Sequence, residues 1–351
     1  LADKMGFRKA LLLAFALLSV GYLSLAIFPL ALEQNGLVEY GRQATFTGLQ
    51  ETDARWLIVP IMVVIMIGGS FIKAVITGTV ATTTTTANRA RGFAIFYMMV
   101  NIGAFSGKTI VKPLRESMGD LGLINLNYFA AGMTFLAFVS IFLFFKNVDR
   151  STESKSMDQI LQALWRVLRN GRLIALILII TGFWMVQHQL YATMPKYVLR
   201  MAGEGASPSW YANVNPFVVV LTVGLVTSLM RRKTALFSMT TGMFIMPISA
   251  LAMASGNLLQ GNVDLGFMSM HPVAFMMIIG IVFQGLAESF ISPRFLEYFS
   301  LQAPKGEEAM YLGFSHLHSF ISSILGFGLS GYLVDAYCPD PRKFASHEAW
   351  Q

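Results

Sequence analysis

Residues 271–296 read HPVAFMMIIGIVFQGLAESFISPRFL. No charged side chain lies between His271 and Glu288. A run of about 20 apolar residues is the length of a helix that crosses a hydrocarbon core of roughly 30 Å at about 1.5 Å per residue. No water reaches a backbone there, so the segment must satisfy its own N–H and C=O groups, and a helix does so. A charge at the bilayer centre costs at least about 2.5 kcal/mol and is normally paired or functional. The stretch therefore predicts a membrane helix in which Glu288 has a task.

The same pattern recurs along the chain. Comparable runs cover approximately 9–31, 56–80, 92–112, 126–146, 172–195, 212–230, 234–256 and 310–336, which gives nine predicted spans with 271–296. None reads as a crossing strand. Of the 351 residues 55% are hydrophobic and only 13% charged, and the mean hydropathy is +0.58. That is too little charge for the shell of a soluble domain. The net charge of +7 would suggest nucleic acid in a soluble protein. Here the basic residues sit in short loops beside apolar runs, so they set orientation and the expected large partner is the bilayer, not nucleic acid. The single cysteine, Cys338, excludes a disulfide within the chain.

Lysines and arginines give the direction. One set of connections carries Arg8 and Lys9; Arg89 and Arg91; Arg166, Arg169 and Arg172; and Arg231, Arg232 and Lys233. The alternate set is poorer, so the first set is expected to be cytoplasmic, with the N-terminal end of the chain inside an inner (cell) membrane. The longest cytoplasmic connection, 147–171, contains the amphipathic stretch Ile160–Leu168 and reads as a linker with a helix lying along the membrane surface. It separates a first bundle, 1–146, from a second, 172–351. Two bundles joined by a basic linker is a plan used by secondary transporters.

Several motifs sharpen this. LADKMGFRK at the start offers Asp3 as a helix cap, Gly6 as a turn, and Arg8 and Lys9 as anchors on the inner face. It resembles the cytoplasmic loop after the second helix of major facilitator transporters. FYMMVNIGAF (96–105), GGSFIK (68–73), FWMVQHQ (183–189), Asn215-Pro216 and AESFISP (287–293) fall in the order in which similar segments occur in the proton-dependent oligopeptide transporters. The chain thus looks like a divergent relative of that family. The resemblance implies an all-α integral membrane fold of the major facilitator two-bundle type, a monomer, and proton-coupled uptake of short peptides. In that register the chain runs from the third helix to the eleventh, and the first bundle would be incomplete, as would the second. Where this chain has His188 the family usually has a glutamate, and the sequence after Lys73 departs from the family's proline-containing pattern.

The candidate solute and proton pathway follows from polar residues inside apolar runs. Lys73 lies as far from Trp56 as Glu288 does from His271, roughly 25 Å along each helix at about 1.5 Å per residue. The resemblance places the family's lysine–glutamate pair at these two positions. The other reading has Lys73 snorkelling to the interface and Glu288 capping a broken helix near Pro293. Tyr97, Asn101 and Lys108 share a helical face. Asn101 fits either a peptide group or interhelical packing, and Lys108 either a substrate carboxylate or the outer interface. Trp184, Gln187, His188 and Tyr191 fall at i, i+3, i+4 and i+7 and form one face. His188 is either a proton carrier or a hydrogen-bonded packing residue. Ser292 completes the set on the Glu288 helix. His316 and His318 stand roughly 200° apart around a continuous helix, so at most one of them would face a cavity.

No HExxH, CxxC, P-loop or GxSxG pattern occurs, so neither a metal nor a cofactor is expected, and an enzyme is not. Other classes weighed against a peptide carrier are a facilitator carrier for a nucleoside or organic anion, a transporter-like nutrient sensor, a channel and a membrane enzyme.

Overall fold

A computed structural model describes residues 6–35, 56–117, 122–145, 156–203, 206, 208–266, 268–304 and 307–340. Its helices are α1 (Phe7–Gln34), α2 (Ile58–Thr83), α3 (Arg89–Ser117), α4 (Gly122–Phe144), α5 (Met157–Arg169), α6 (Gly171–Ala192), α7 (Met194–Ala202), α8 (Pro208–Leu229), α9 (Ala235–Ser255), α10 (Pro272–Gln302), α11 (Glu308–Ser315) and α12 (Leu317–Tyr337). Among the described residues nine helical segments are long and apolar enough to cross a membrane, and they coincide with the nine runs read from the sequence. The last of them, Met310–Tyr337, is α11 and α12 together. Asp3 and residues 146–155 lie outside the described residues.

By contact the chain forms two compact units, Leu1–Thr79 with Ile110–Ile160, and Val80–Thr109 with Leu161–Gln351. In the first unit α1 packs along α4. Gly6, at φ +80°, turns the chain into α1. Arg8 then donates to the Phe142 carbonyl at 2.7 Å and lies 5.6 Å from the centre of the Phe142 ring, tying the start of α1 to the end of α4. Lys9 is exposed. Ser19 and Thr134 hydrogen-bond at 3.0 Å along the same contact. The small residue Gly68 lets α2 approach α1: a Cβ there would sit 2.9 Å from the Ala14 carbonyl oxygen.

The second unit is built around α10, the most buried of the spans. It packs on α9 and α8, while α6 packs on α12. Close backbone approach again decides the register. A Cβ at Gly280 would come within 2.8 Å of the Ser249 carbonyl oxygen. Ser249 uses that closeness to donate to the Gly280 carbonyl at 2.7 Å. α5 docks through Ala163 and Val167, both fully buried, and leaves Leu161, Trp165 and Leu168 exposed, as a helix half in protein and half at a lipid surface requires. Arg166 reaches Glu307 at 3.0 Å, and Arg169 stacks 5.2 Å over Trp165.

Two features add to the sequence reading and two differ from it. The segment after α6 is a short helix, α7; Pro195 sits at the start of that helix, where its missing N–H costs nothing. The connection from α9 to α10 holds a small antiparallel hairpin, β1 (Val263–Asp264) with β2 (Ser269–Met270). Its turn is fixed by Gly266, whose N–H donates to Asp264 at 2.8 Å. α10 is continuous through Pro293, so Glu288 does not cap a broken helix. The run 310–336 is instead broken at His316, between α11 and α12.

Candidate functional site

Glu288 sits in the middle of α10 and is 6% exposed. Its carboxylate accepts from Gln187 of α6 at 2.8 Å and from Asn215 of α8 at 3.3 Å. Three helices thus converge on one buried acid. Asn215 reaches it because Pro216 and the close α8–α10 contact at Gly285 bring the two backbones together; a Cβ at Gly285 would lie 3.0 Å from the Asn215 carbonyl oxygen. Tyr97 of α3 stands beside both Glu288 and Ser292, and Ser292 is 3% exposed. Among the described residues Gln187 keeps its Oε1 buried with no hydrogen-bond donor. The acid is therefore held by neutral amides, whose side chains can turn and present either a donor or an acceptor.

The face expected on α6 exists, but it is shared among three neighbours. Gln187 turns to α10, whereas Tyr191 meets Lys108 of α3, whose Nζ donates to the Tyr191 hydroxyl at 2.9 Å and lies 4.7 Å from the ring centre. His188 stacks on Phe327 of α12, with centroids 5.6 Å apart and planes within 9°. Trp184 touches both His188 (5.8 Å) and His318 (5.9 Å). Asn101 is 6% exposed and gives its amide to the Tyr97 carbonyl of its own helix at 2.9 Å.

The break at His316 overturns the expectation that His316 and His318 point apart. The roughly 200° between them holds only along an unbroken helix. Here the backbone N–H groups of Ser319 and Phe320 both turn to the His316 carbonyl, and the two imidazole rings come within 6.0 Å. The ring of His318 takes up the Ser315 carbonyl instead, with Nδ1 at 2.5 Å. A carbonyl only accepts, so Nδ1 carries a proton, and Nε2 meets the Ser319 hydroxyl at 3.2 Å. His318 is 3% exposed and also meets Phe295 edge to face at 5.0 Å. His188, Trp184, His318 and His316 thus form a continuous imidazole–indole cluster.

Lys73 belongs to the other unit. Its side chain is exposed on α2, and its carbonyl accepts from Thr77 one turn on, at 2.7 Å. No cluster of three metal-ligating side chains occurs among the described residues.

Two features were missed in the sequence. Asn215 was noticed only as the residue before a proline, not as a partner of Glu288. Arg294 was overlooked altogether. It is 5% exposed and bonds Glu297 at 2.6 Å, the Met230 carbonyl at 2.6 Å and the Lys233 carbonyl at 2.8 Å. It therefore clamps the α8–α9 connection to α10. The i, i+3 spacing of Arg294 and Glu297 near the end of an apolar run was the readable signal.

A family model described as the Major Facilitator Superfamily matches residues 1–268. The chain belongs to the major facilitator superfamily. This facilitator chain shares its fold with solved peptide transporters. A glutamate-to-glutamine mutant of the peptide transporter POT in complex with alafosfalin aligns with a TM-score of 0.60 at 18% identity, over 96% of this chain and 75% of that one. The peptide transporter POT in complex with sulfate aligns with a TM-score of 0.58 at 18% identity, over 96% and 76%. No curated protein matches the sequence at a significant level. The facilitator fold makes the chain a multi-pass membrane protein of the all-α, two-bundle type, with a transporter's architecture.

Proposed function

We propose that this chain is a secondary active transporter that takes up short peptides together with protons by alternating access. The observation that carries the reading is Glu288. A buried acid on the central helix of one unit, reached by the amides of Gln187 and Asn215, is a charge placed inside an apolar span, where such a group is normally paired or functional and is suited to carrying the coupled proton. Tyr97, Asn101, Lys108, Trp184, Tyr191 and Ser292 supply the polar and aromatic contacts that a small zwitterionic solute needs. Lys108 suits the carboxyl end of such a solute. The likeness of fold to solved peptide transporters supports the substrate class. In this reading Lys73 pairs with Glu288 in one state of the cycle, the Arg8, Arg89 and Arg231 side of the molecule is cytoplasmic, and the protein works as a monomer in the cell membrane. Another small solute, such as a nucleoside or organic anion, would use the same acid with a different solute pocket.

The deciding experiment is uptake of a labelled dipeptide into liposomes holding the purified protein. Accumulation against the gradient is expected with an inward proton gradient and is expected to vanish when that gradient is collapsed. Accumulation that ignores the gradient would rule out proton coupling. Competition by nucleosides but not by dipeptides would rule out the peptide reading.

A further inference from the structure

Where α3 begins and α8 ends, the second unit contains a cavity of about 480 Å³. Its lining is graded. α3 runs away from this face and α8 runs toward it, so higher numbers on α3 and lower numbers on α8 lie deeper. At the end where α3 begins and α8 ends stand Arg91 and Arg231, both exposed; one to two turns along the helices are Ile95, also exposed, Met98 and Val223. From Arg91 to Met98 the descent is roughly 10 Å at about 1.5 Å per residue. The cavity is cationic at the end where α3 begins and α8 ends, and largely apolar along the next two turns.

Arg294 forms part of the wall. It is 5% exposed, and its Nε–H is a buried donor with no acceptor among the described residues. The one carboxylate in the lining, Glu297, already pairs with Arg294 at 2.6 Å, so the surplus charge is that of Arg91 and Arg231. A buried donor left unmet costs free energy, and an acceptor oxygen from a ligand would remove that cost. Gly224 opens onto the same space: a Cβ built on it meets no atom within 4 Å.

We propose that this cavity binds one anionic glycerophospholipid, with its phosphate among Arg91, Arg231 and Arg294 and an acyl chain along Ile95, Met98 and Val223. A free phosphate would use the arginine end and leave the apolar part empty. A zwitterionic lipid would bring an ammonium group to a wall whose only carboxylate is already engaged. The site is independent of the solute reading above, because none of its residues contacts Glu288 or the histidine cluster in the bonds described there.

The test is native mass spectrometry of the detergent-purified protein titrated with phosphatidylglycerol, phosphatidylcholine or inorganic phosphate. Phosphatidylglycerol is expected to be held about tenfold or more tighter than phosphatidylcholine, as two arginines at a membrane surface would give. Arg91→Gln with Arg231→Gln should remove that preference. Gly224→Leu, which fills empty space, should weaken phosphatidylglycerol about tenfold while leaving the thermal unfolding midpoint unchanged. Equal retention of both lipids, or loss of preference in the arginine variant with full retention in Gly224→Leu, would overturn the proposal. Displacement of phosphatidylglycerol by millimolar inorganic phosphate would assign the arginine end to a free anion and overturn it too.

Discussion

At the residue scale the question is which group carries a proton. An unperturbed histidine titrates near 6.5, whereas a glutamate is charged at neutral pH unless burial opposes it. His188 stands on Phe327 and Trp184, in a cluster that also holds His318 and His316. If His188 carries the coupled proton, His188→Gln should abolish uphill uptake while leaving solute exchange near the parental rate, because exchange needs binding and rocking but no net proton movement. His188→Glu should retain coupling with a shifted pH optimum. Both follow from liposome uptake measured with and without a pH gradient. Accumulation by His188→Gln equal to the parent's would reduce His188 to a ring contact and leave Glu288 or His318 as the carrier. The sequence made Glu288, Lys73 and His188 legible because a charge or an imidazole inside an apolar run is conspicuous. It did not reveal the partners. Whether Gln187 faces the solute or Glu288 depends on how α6 rolls against α10, and that is set by packing between helices far apart in sequence.

At the scale of elements, the spans were legible because hydrocarbon thickness fixes their length, and the surface helix α5 because its apolar residues recur on the helical period. α7 and the break at His316 were not. The one is nine residues long, too short to span, and carries Lys196 and Arg200 within it. The other holds neither proline nor glycine at the joint, and its cause is local: an imidazole takes the Ser315 carbonyl that the next turn would have used. Close packing of α9 on α10 gives a test of this level. In Gly280→Val the first added carbon would sit 2.3 Å from Met253 Cγ and 2.8 Å from the Ser249 carbonyl oxygen. Overpacking of this kind costs about 1–3 kcal/mol, so the thermal midpoint in detergent should fall by several degrees. An unchanged midpoint would show that the α9–α10 contact yields enough to take the added carbons. At the far end Arg200 of α7 hydrogen-bonds the carbonyl groups of Val334 and Cys338, joining α7 to the end of α12. Burial pushes the Cys338 thiol above its usual range, and Arg200 pulls it part of the way back. Because the thiolate is the reactive form, maleimide labelling of this only cysteine should be slow near neutral pH and rise at alkaline pH. In Arg200→Gln the midpoint of the pH–rate profile should move higher still. A midpoint that moves lower would mean that Arg200 does not act on the thiol electrostatically.

At the scale of the whole molecule, Lys73 and Glu288 belong to different units. Alternating access, as proposed here, requires an interaction that forms in one arrangement of the units and breaks in the other, and oppositely charged side chains at equal depth along their helices are suited to that. The pairing makes a demand that neither residue makes alone. Lys73→Glu leaves two carboxylates where one acid and one base belong, and Glu288→Lys leaves two ammonium groups. If the pair forms in one state of the cycle, each single variant puts like charges together there and should lose uptake by about a hundredfold or more. The double variant, Lys73→Glu with Glu288→Lys, restores opposite charges. Its success depends on whether the surroundings of position 288 accept a cation. Gln187 and Asn215 now donate to the carboxylate, and Gln187 holds its own Oε1 buried with no donor among the described residues. A flip of each amide turns those two donors into two acceptors, which is what a lysine ammonium needs. The swap should therefore recover a substantial part of the uptake that the single variants lose, measured as initial rate per reconstituted protein. A double variant as inactive as either single one, while still folded by its thermal midpoint, would show that the two charges work separately.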